Sequence, residues 1–216
     1  MTNLLMIRNP KSIIIHFMNN LKIKSTLLLI TIFLSLQSFA QETINSSRFN
    51  FDFEQPGLDG NKIAKDWIAM PRGTDKFVFL LDSTVKHSGK YSLLIKPSGL
   101  ESVDVDQNFG AAGFRIKNTY KGKRVEVTAF MKCENVIGSI KLMLRVDGKE
   151  HKILQYGTMK EKTIAGTQRW KEYKLEIDIP ENGIDIYIGG MLIGSGKLWI
   201  DDFRVQVDGK DINLYK

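Results

Sequence analysis

The sequence predicts an all-β fold, an antiparallel β-sandwich of the jelly-roll type, and three observations lead there. Apolar and polar residues alternate with a period of two in almost every segment after residue 47. Turns rich in Gly, Asn and Asp cut that alternation into about ten short runs. No window of helical length carries an apolar stripe with a 3.6-residue period. Many short strands in one chain of this size form a sandwich, and Greek-key connections make it a jelly roll.

The elements follow in order. "RFNFDFE" aligns Phe49, Phe51 and Phe53 on one face and predicts a first strand. "DKFVFLLD", "KYSLLIK", "ESVDVDQ", "GFRIK" and "KRVEVTAFMK" continue the alternation. In "HSGKYSL", Gly89 permits a turn with positive φ, after which Tyr91, Leu93 and Ile95 enter a strand on one face. "SIKLMLRVDGK" turns Ile140, Leu142, Leu144 and Val146 inward and ends on an Asp-Gly turn. "WKEYKLEIDIP", "IDIYIGG" and "GKLWIDDFRVQVDGK" complete the set. The unpatterned stretches are residues 41–47, "QPGLDGNKIAKDW" and "YGTMKEKTIAGTQR".

The first 40 residues read differently. They hold Arg8, Lys11, Lys22 and Lys24 and no acidic residue, and "NNLKIKS" precedes the apolar run "TLLLITIFLSL" and then "QSFA". This is the order of a secretory signal peptide, with Ser38 and Ala40 as the small residues of a cleavage site before Gln41 and Met18 as an alternative start. The run is shorter than the ~20 residues of a transmembrane helix, so no membrane span is expected. The expected organisation is a signal peptide over 1–40, a short flexible segment over 41–47, the sandwich over 48–210 and a tail over 211–216. Export to the periplasm or beyond follows.

Composition narrows the partners. The chain has 31 Lys and Arg against 24 Asp and Glu, a net charge of +7, and four of those cations fall in the signal. The remaining excess is too small to indicate a nucleic-acid partner. Cys133 is the sole cysteine, which excludes an internal disulfide. It is in phase with Val125, Val127, Ala129 and Met131, as a buried hydrophobe would be.

Several stretches in their order carry a resemblance: "NFDFEQ", "DWIAMPRG", "DSTVKHSGKYSLLI", "YKGKRVEVTAFMKC", "IAGTQRWKEYKLEIDIP" and "GKLWIDDFRVQVDGK". They resemble the galactose-binding-like jelly rolls of bacterial carbohydrate-binding modules. They are similar, in particular, to the non-catalytic module found ahead of secreted C-terminal-processing peptidase and erythromycin esterase domains. Those proteins continue into an enzyme domain where this sequence ends at Lys216, so the expectation is a module acting by itself.

The resemblance gives the aspartate pair of "GKLWIDDFRV" a possible role. By period-two counting Asp201 falls in phase with Trp199, Phe203, Val205 and Val207, and a carboxylate on an apolar face must be paired, protonated or metal-bound. Many modules of this fold hold a structural calcium between first and last strands. The resemblance matches Glu54 to the first-strand acid and Asp201 or Asp202 to the last-strand acid, oxygen donors of the kind calcium takes. The competing reading has Asp201 capping loop amides or pairing with a lysine, and Asp202 in solvent.

Catalytic patterns are sparse. Beyond the signal only His87 and His151 remain, with no metal-ligand spacing and no Gly-x-Ser-x-Gly elbow. "EIDIPE" fits the Glu-x-Asp-x-x-Glu arrangement of jelly-roll β-glucanases. Pro180, however, breaks the strand where the third acid would have to point inward. Sugar binding would use aromatic rings, and Trp67, Tyr120 and Tyr156 stand in turn-like surroundings as candidates. Trp170 falls out of phase with Tyr173 and Leu175, as a solvent-facing ring would. The reading is an exported, non-catalytic module for a carbohydrate. A structural or protein-interaction module is the alternative, and a β-glucanase-like hydrolase the third.

Overall fold

The computed structural model describes residues 49–57, 63–70, 76–99, 109–120, 122–159 and 163–215. They belong to a compact unit, Ser46–Lys216. The expected signal peptide, the segment 41–47 and the strand "ESVDVDQ" lie outside the described residues.

Nine strands run antiparallel, with two short 3-10 turns and no α-helix among the described residues. They are β1 (Trp67–Ala69), β2 (Phe77–Asp82), β3 (Ser92–Pro97), β4 (Phe109–Lys117), β5 (Arg124–Asp147), β6 (Ile153–Thr158), β7 (Ile164–Asp178), β8 (Asp185–Val207) and β9 (Lys210–Asp211). The jelly-roll sandwich expected from the alternation is therefore the observed class. Three of its segments differ from the period-two reading.

First, "KRVEVTAFMK" and "SIKLMLRVD" are a single strand of 24 residues, and "IDIYIGG" and "KLWIDDFRVQV" are one of 23. β5 and β8 pair along nearly their whole length and bend together. At the bend Asn135 and Gly138 in β5, and Gly194 and Gly196 in β8, all take positive φ. Each bend shifts the phase of alternation, as bulges do. Val125, Val127, Ala129, Met131 and Cys133 face the core before it, and Ile140, Leu142, Leu144 and Val146 after it.

The shared bend folds one sheet into two layers. One half runs β1-β4-β8-β5-β6 and the other β2-β3-β8-β5-β7, with β9 on the end of β8. Their inner faces supply one continuous core. Ile186, Ile188 and Leu144 of the first half join Leu93, Ile95, Leu198, Ile200 and Met131 of the second. Cys133 is buried there as expected.

Second, "RFNFDFE" forms no strand. Asn50 and Phe53 have positive φ, which an extended strand excludes. Asn50 instead pins a turn: its side chain accepts from the Gln55 amide and donates to the carbonyls of Gln55 and Lys65. Phe51 and Phe53 still reach the core, packed with Trp67, Phe114 and Phe203. Third, residues past 210 are no loose tail, because β9 pairs with β8 and Ile212 is fully buried.

Candidate functional site

The aspartate pair sits at another bulge. Asp202 has a φ of 49°, and the β5–β8 register shifts between Thr128 and Phe130. The shift reverses the phase, so Phe203, Val205 and Val207 join the core with Leu198 and Ile200, whereas Trp199 and Asp201 lie on the other face. Period-two counting across Asp202 puts Trp199 and Asp201 together with Phe203, Val205 and Val207.

Asp201 is nevertheless fully buried, because the turn after β2 folds over it. Its Oδ2 accepts from the amides of His87 (2.9 Å) and Ser88 (3.2 Å), and its Oδ1 from the Asp202 amide (2.8 Å). Burial, with the neighbouring Asp202 charge adding to it, pushes the Asp201 carboxyl up to about 7 against the pull of those amides. Asp202 accepts from the Ser88 hydroxyl at 2.8 Å, and its Oδ2 lies 2.6 Å from His87 Nδ1. Glu54 Oε1 accepts from the amides of Lys90 (2.7 Å) and Tyr91 (3.1 Å). The His87 ring stacks on Phe130 at 3.6 Å and meets Trp170 edge-on at 5.7 Å.

The three acids of the calcium expectation thus surround one loop, residues 87–91, and each accepts hydrogen bonds from its amides or side chains. No group of three His, Cys, Asp or Glu side chains is placed to hold a metal ion among the described residues. The contacts these acids make are those of the competing reading, in which Asp201 caps loop amides.

The three rings proposed from sequence part company. Trp67 is not in a loop: it opens β1, is 2 % exposed, and its indole N–H donates to the Asn50 carbonyl. Tyr120 is buried edge-on against Tyr215. Both are closed to a sugar face. Tyr156 on β6 is 42 % exposed, and the register shows what stands beside it.

Tyr156 pairs with Arg145 of β5, Arg145 with Tyr187 of β8, and Tyr187 with Arg115 of β4. Directly paired residues share a face, so the four make one row across the layer on the side away from the core. The Arg145 guanidinium lies 4.5 Å from the Tyr187 ring centre. The next row anchors the cations. Asp147 and Asp185 face each other across β5 and β8, with Lys117 beyond Asp185. Asp147 takes Arg145 at 2.9 Å through both oxygens. Asp185 takes Arg115 at 2.9 Å and Lys117 at 3.1 Å. Burial opposes ionisation of Asp185, but the Arg115 and Lys117 partners hold its carboxyl below the usual range. Burial also raises the Tyr156 hydroxyl, with Arg145 working the other way. On the far side Gly113 and Gly189 pair with no side chain between them. A Cβ on Gly189 would meet the Ala112 carbonyl.

The row therefore offers one exposed ring, Tyr156, and two tethered guanidinium groups on one face of the sheet, with the Tyr187 ring buried beneath Arg145. A groove of about 1160 Å³ beside β6 and β7, lined by Met159, Ile164, Tyr173 and Leu175 among others, has no such set of anchored donors. The β-glucanase acids are engaged elsewhere: Arg124 bridges Glu176 at 3.3 Å and Asp178 at 3.2 Å on an exposed face.

Sequence reasoning found Tyr156 and missed its three row partners. Their signal was present as the outward phase of "GFRIK", "KLMLRVD" and "IDIYIGG". What the sequence lacks is that β4 lies beside β8 and β8 beside β5.

No family model matches the chain. It is 30% identical over 144 residues to the uncharacterized HTH-type transcriptional regulator YbfP of Bacillus subtilis (strain 168). The match covers 65% of this chain and 47% of that protein, so the chain spans about half the length of the curated relative it matches. A helix-turn-helix needs two α-helices, and the described residues contain none. Among solved structures it is similar to tailspike protein 4 of bacteriophage CBA120, in its enzymatically active domain, at a TM-score of 0.52 and 12% identity over 73% of this chain and 21% of that one. An arabinose-bound α-L-arabinofuranosidase gives a TM-score of 0.50 at 14% identity, over 72% of this chain and 25% of that one. The xylan-binding CBM22-1 domain of Paenibacillus barcinonensis gives 0.49 at 13% identity, over 73% of this chain and 91% of that one. At these identities the likeness is one of fold.

Proposed function

We propose that this chain is a non-catalytic carbohydrate-binding module, exported as its N-terminal sequence indicates. The observation that carries the reading is the row Tyr156–Arg145–Tyr187–Arg115. The exposed Tyr156 ring gives a pyranose an apolar face to lie on, and forked guanidinium donors fix its oxygens. Buried Asp147 and Asp185 hold those forks in place, so little side-chain entropy is lost on binding. The fold recurs inside an arabinose-bound α-L-arabinofuranosidase, a quarter of whose chain it matches.

The test is calorimetry of the chain against soluble neutral and acidic polysaccharides. Tyr156→Ala should weaken binding about tenfold, the effect of roughly 1.4 kcal/mol, with the melting temperature unchanged because the ring is half exposed. Absence of binding across the panel would overturn the reading in favour of a protein-interaction module.

A further inference from the structure

Resting on the carbohydrate reading, we infer that the ligand of this face is an acidic polysaccharide whose carboxylate or sulfate groups are taken by Arg115 and Lys117. The acids on this face are at the bottom and the cations are on top. The Asp147 side chain is 0% exposed and that of Asp185 2%, whereas Arg115 is 43% and Lys117 65% exposed. Asp147 Oδ2 accepts from Arg145 and Asp185 Oδ2 from Arg115. The other oxygen of each is buried within ion-pair range of Arg145 and Lys117 respectively. A ligand therefore meets donors from these ion pairs and almost no acceptor.

A neutral sugar hydroxyl is donor and acceptor at once and gains from a mixed surface. Apart from the Tyr156 hydroxyl the exposed polar groups of this row are donors. Such a surface favours a group that only accepts, an ionised carboxylate or a sulfate ester. Charge agrees. Arg115 and Lys117 share the single carboxylate of Asp185, leaving one positive charge uncompensated at that end of the row. Lys141, two positions before Met143 on the same outward phase of β5, adds a further cation. The Arg115 fork suits a bidentate carboxylate, and Lys117 beside it supplies a point charge.

The experiment titrates the full chain with polygalacturonate, dextran sulfate, unsubstituted xylan and a mixed-linkage β-glucan at low and moderate salt. Tighter binding of polygalacturonate or dextran sulfate than of the neutral polymers, weakened about tenfold by Arg115→Ala and by added salt, is the expected result. The two acidic polymers distinguish carboxylate from sulfate. Arg204→Ala, an exposed cation outside the row, should leave affinity unchanged. Equal binding of neutral xylan, sensitive to Tyr156→Ala, overturns the acidic ligand and leaves the carbohydrate reading standing. Acidic binding that falls equally with Arg204→Ala and Arg115→Ala is charge attraction alone and also overturns it. No polysaccharide binding overturns both.

Discussion

Asp201 is fully buried, and the consequence is a pH dependence of stability. Its carboxyl titrates near 3.8 when unfolded and is raised to about 7 in the fold by burial and by Asp202. Between those values the folded state holds the proton that the unfolded state has lost, so stability falls as pH rises. Melting temperature should therefore decline from pH 4 to pH 7. Asp201→Asn should flatten that decline while lowering stability by about 1–3 kcal/mol, because one amide acceptor is lost from a buried site. A flat wild-type profile would show that Asp201 stays ionised. The same loop carries a second test. With Glu54 and Asp201 on the 87–91 amides and Asp202 on the Ser88 hydroxyl and His87 ring, we expect a melting temperature indifferent to chelator. A fall on chelation, reversed by calcium, would restore the ion to the strand ends. The acids were legible in the sequence as residues needing a partner. Which partner was not, because the bulge at Asp202 and the loop closing over it are events of tertiary packing.

The elements show why strand count misled while strand class did not. Alternation survives through most of β5, so the all-β class is readable from residues such as Ile140, Leu142 and Leu144. Long strands were read as pairs of short ones because the phase changes at Asn135–Gly138 and Gly194–Gly196. A phase change looks like a turn when only the sequence is in view. These bends make a prediction about glycine. Gly196 has a φ of 101°, and a Cβ there would lie 2.6 Å from the Asn135 carbonyl oxygen and 2.7 Å from Val136 Cα. Those are backbone atoms of the partner strand and cannot swing aside. Gly196→Ala should cost about 2–4 kcal/mol, combining backbone strain with the clash. Gly209 also has a positive φ, 78°, but nothing lies within 4 Å of its Cβ position. Gly209→Ala should cost only the strain, about 1 kcal/mol. Equal losses by chemical denaturation would mean that the bend tolerates a side chain and does not rely on close approach.

At the scale of the molecule, the candidate site is a property of strand order, and that is why sequence reasoning reached only one of its four residues. Tyr187 and Arg145 are far apart in the chain and become neighbours only because β5 and β8 pair along their length. The site is also separate from the elements that hold the sandwich shut. Trp67, Phe53 and Phe203 pack in the core, and Asp201 fastens the loop to the last long strand, but the row lies on the face turned away from both. Stability and binding should then respond most strongly to different substitutions. Trp67→Ala removes a buried ring and its hydrogen bond to Asn50, and should cost about 3–5 kcal/mol. Tyr156→Ala should leave the free protein's melting temperature nearly unchanged, since exposed changes lie within about 0.5 kcal/mol. Arg115→Ala instead takes the hydrogen bond from buried Asp185 and should cost about 1–3 kcal/mol. Ligand should divide Trp67→Ala and Tyr156→Ala in the opposite way. A polysaccharide at 100 times its dissociation constant adds about 2.7 kcal/mol to the folded state. That upward shift should survive in any folded core variant and shrink in Arg115→Ala and Tyr156→Ala. Thermal melts with and without ligand on the same four proteins read both effects. If the row variants kept the full ligand shift, the binding face would have to be sought elsewhere on the sandwich, with the groove beside β7 the next surface to test.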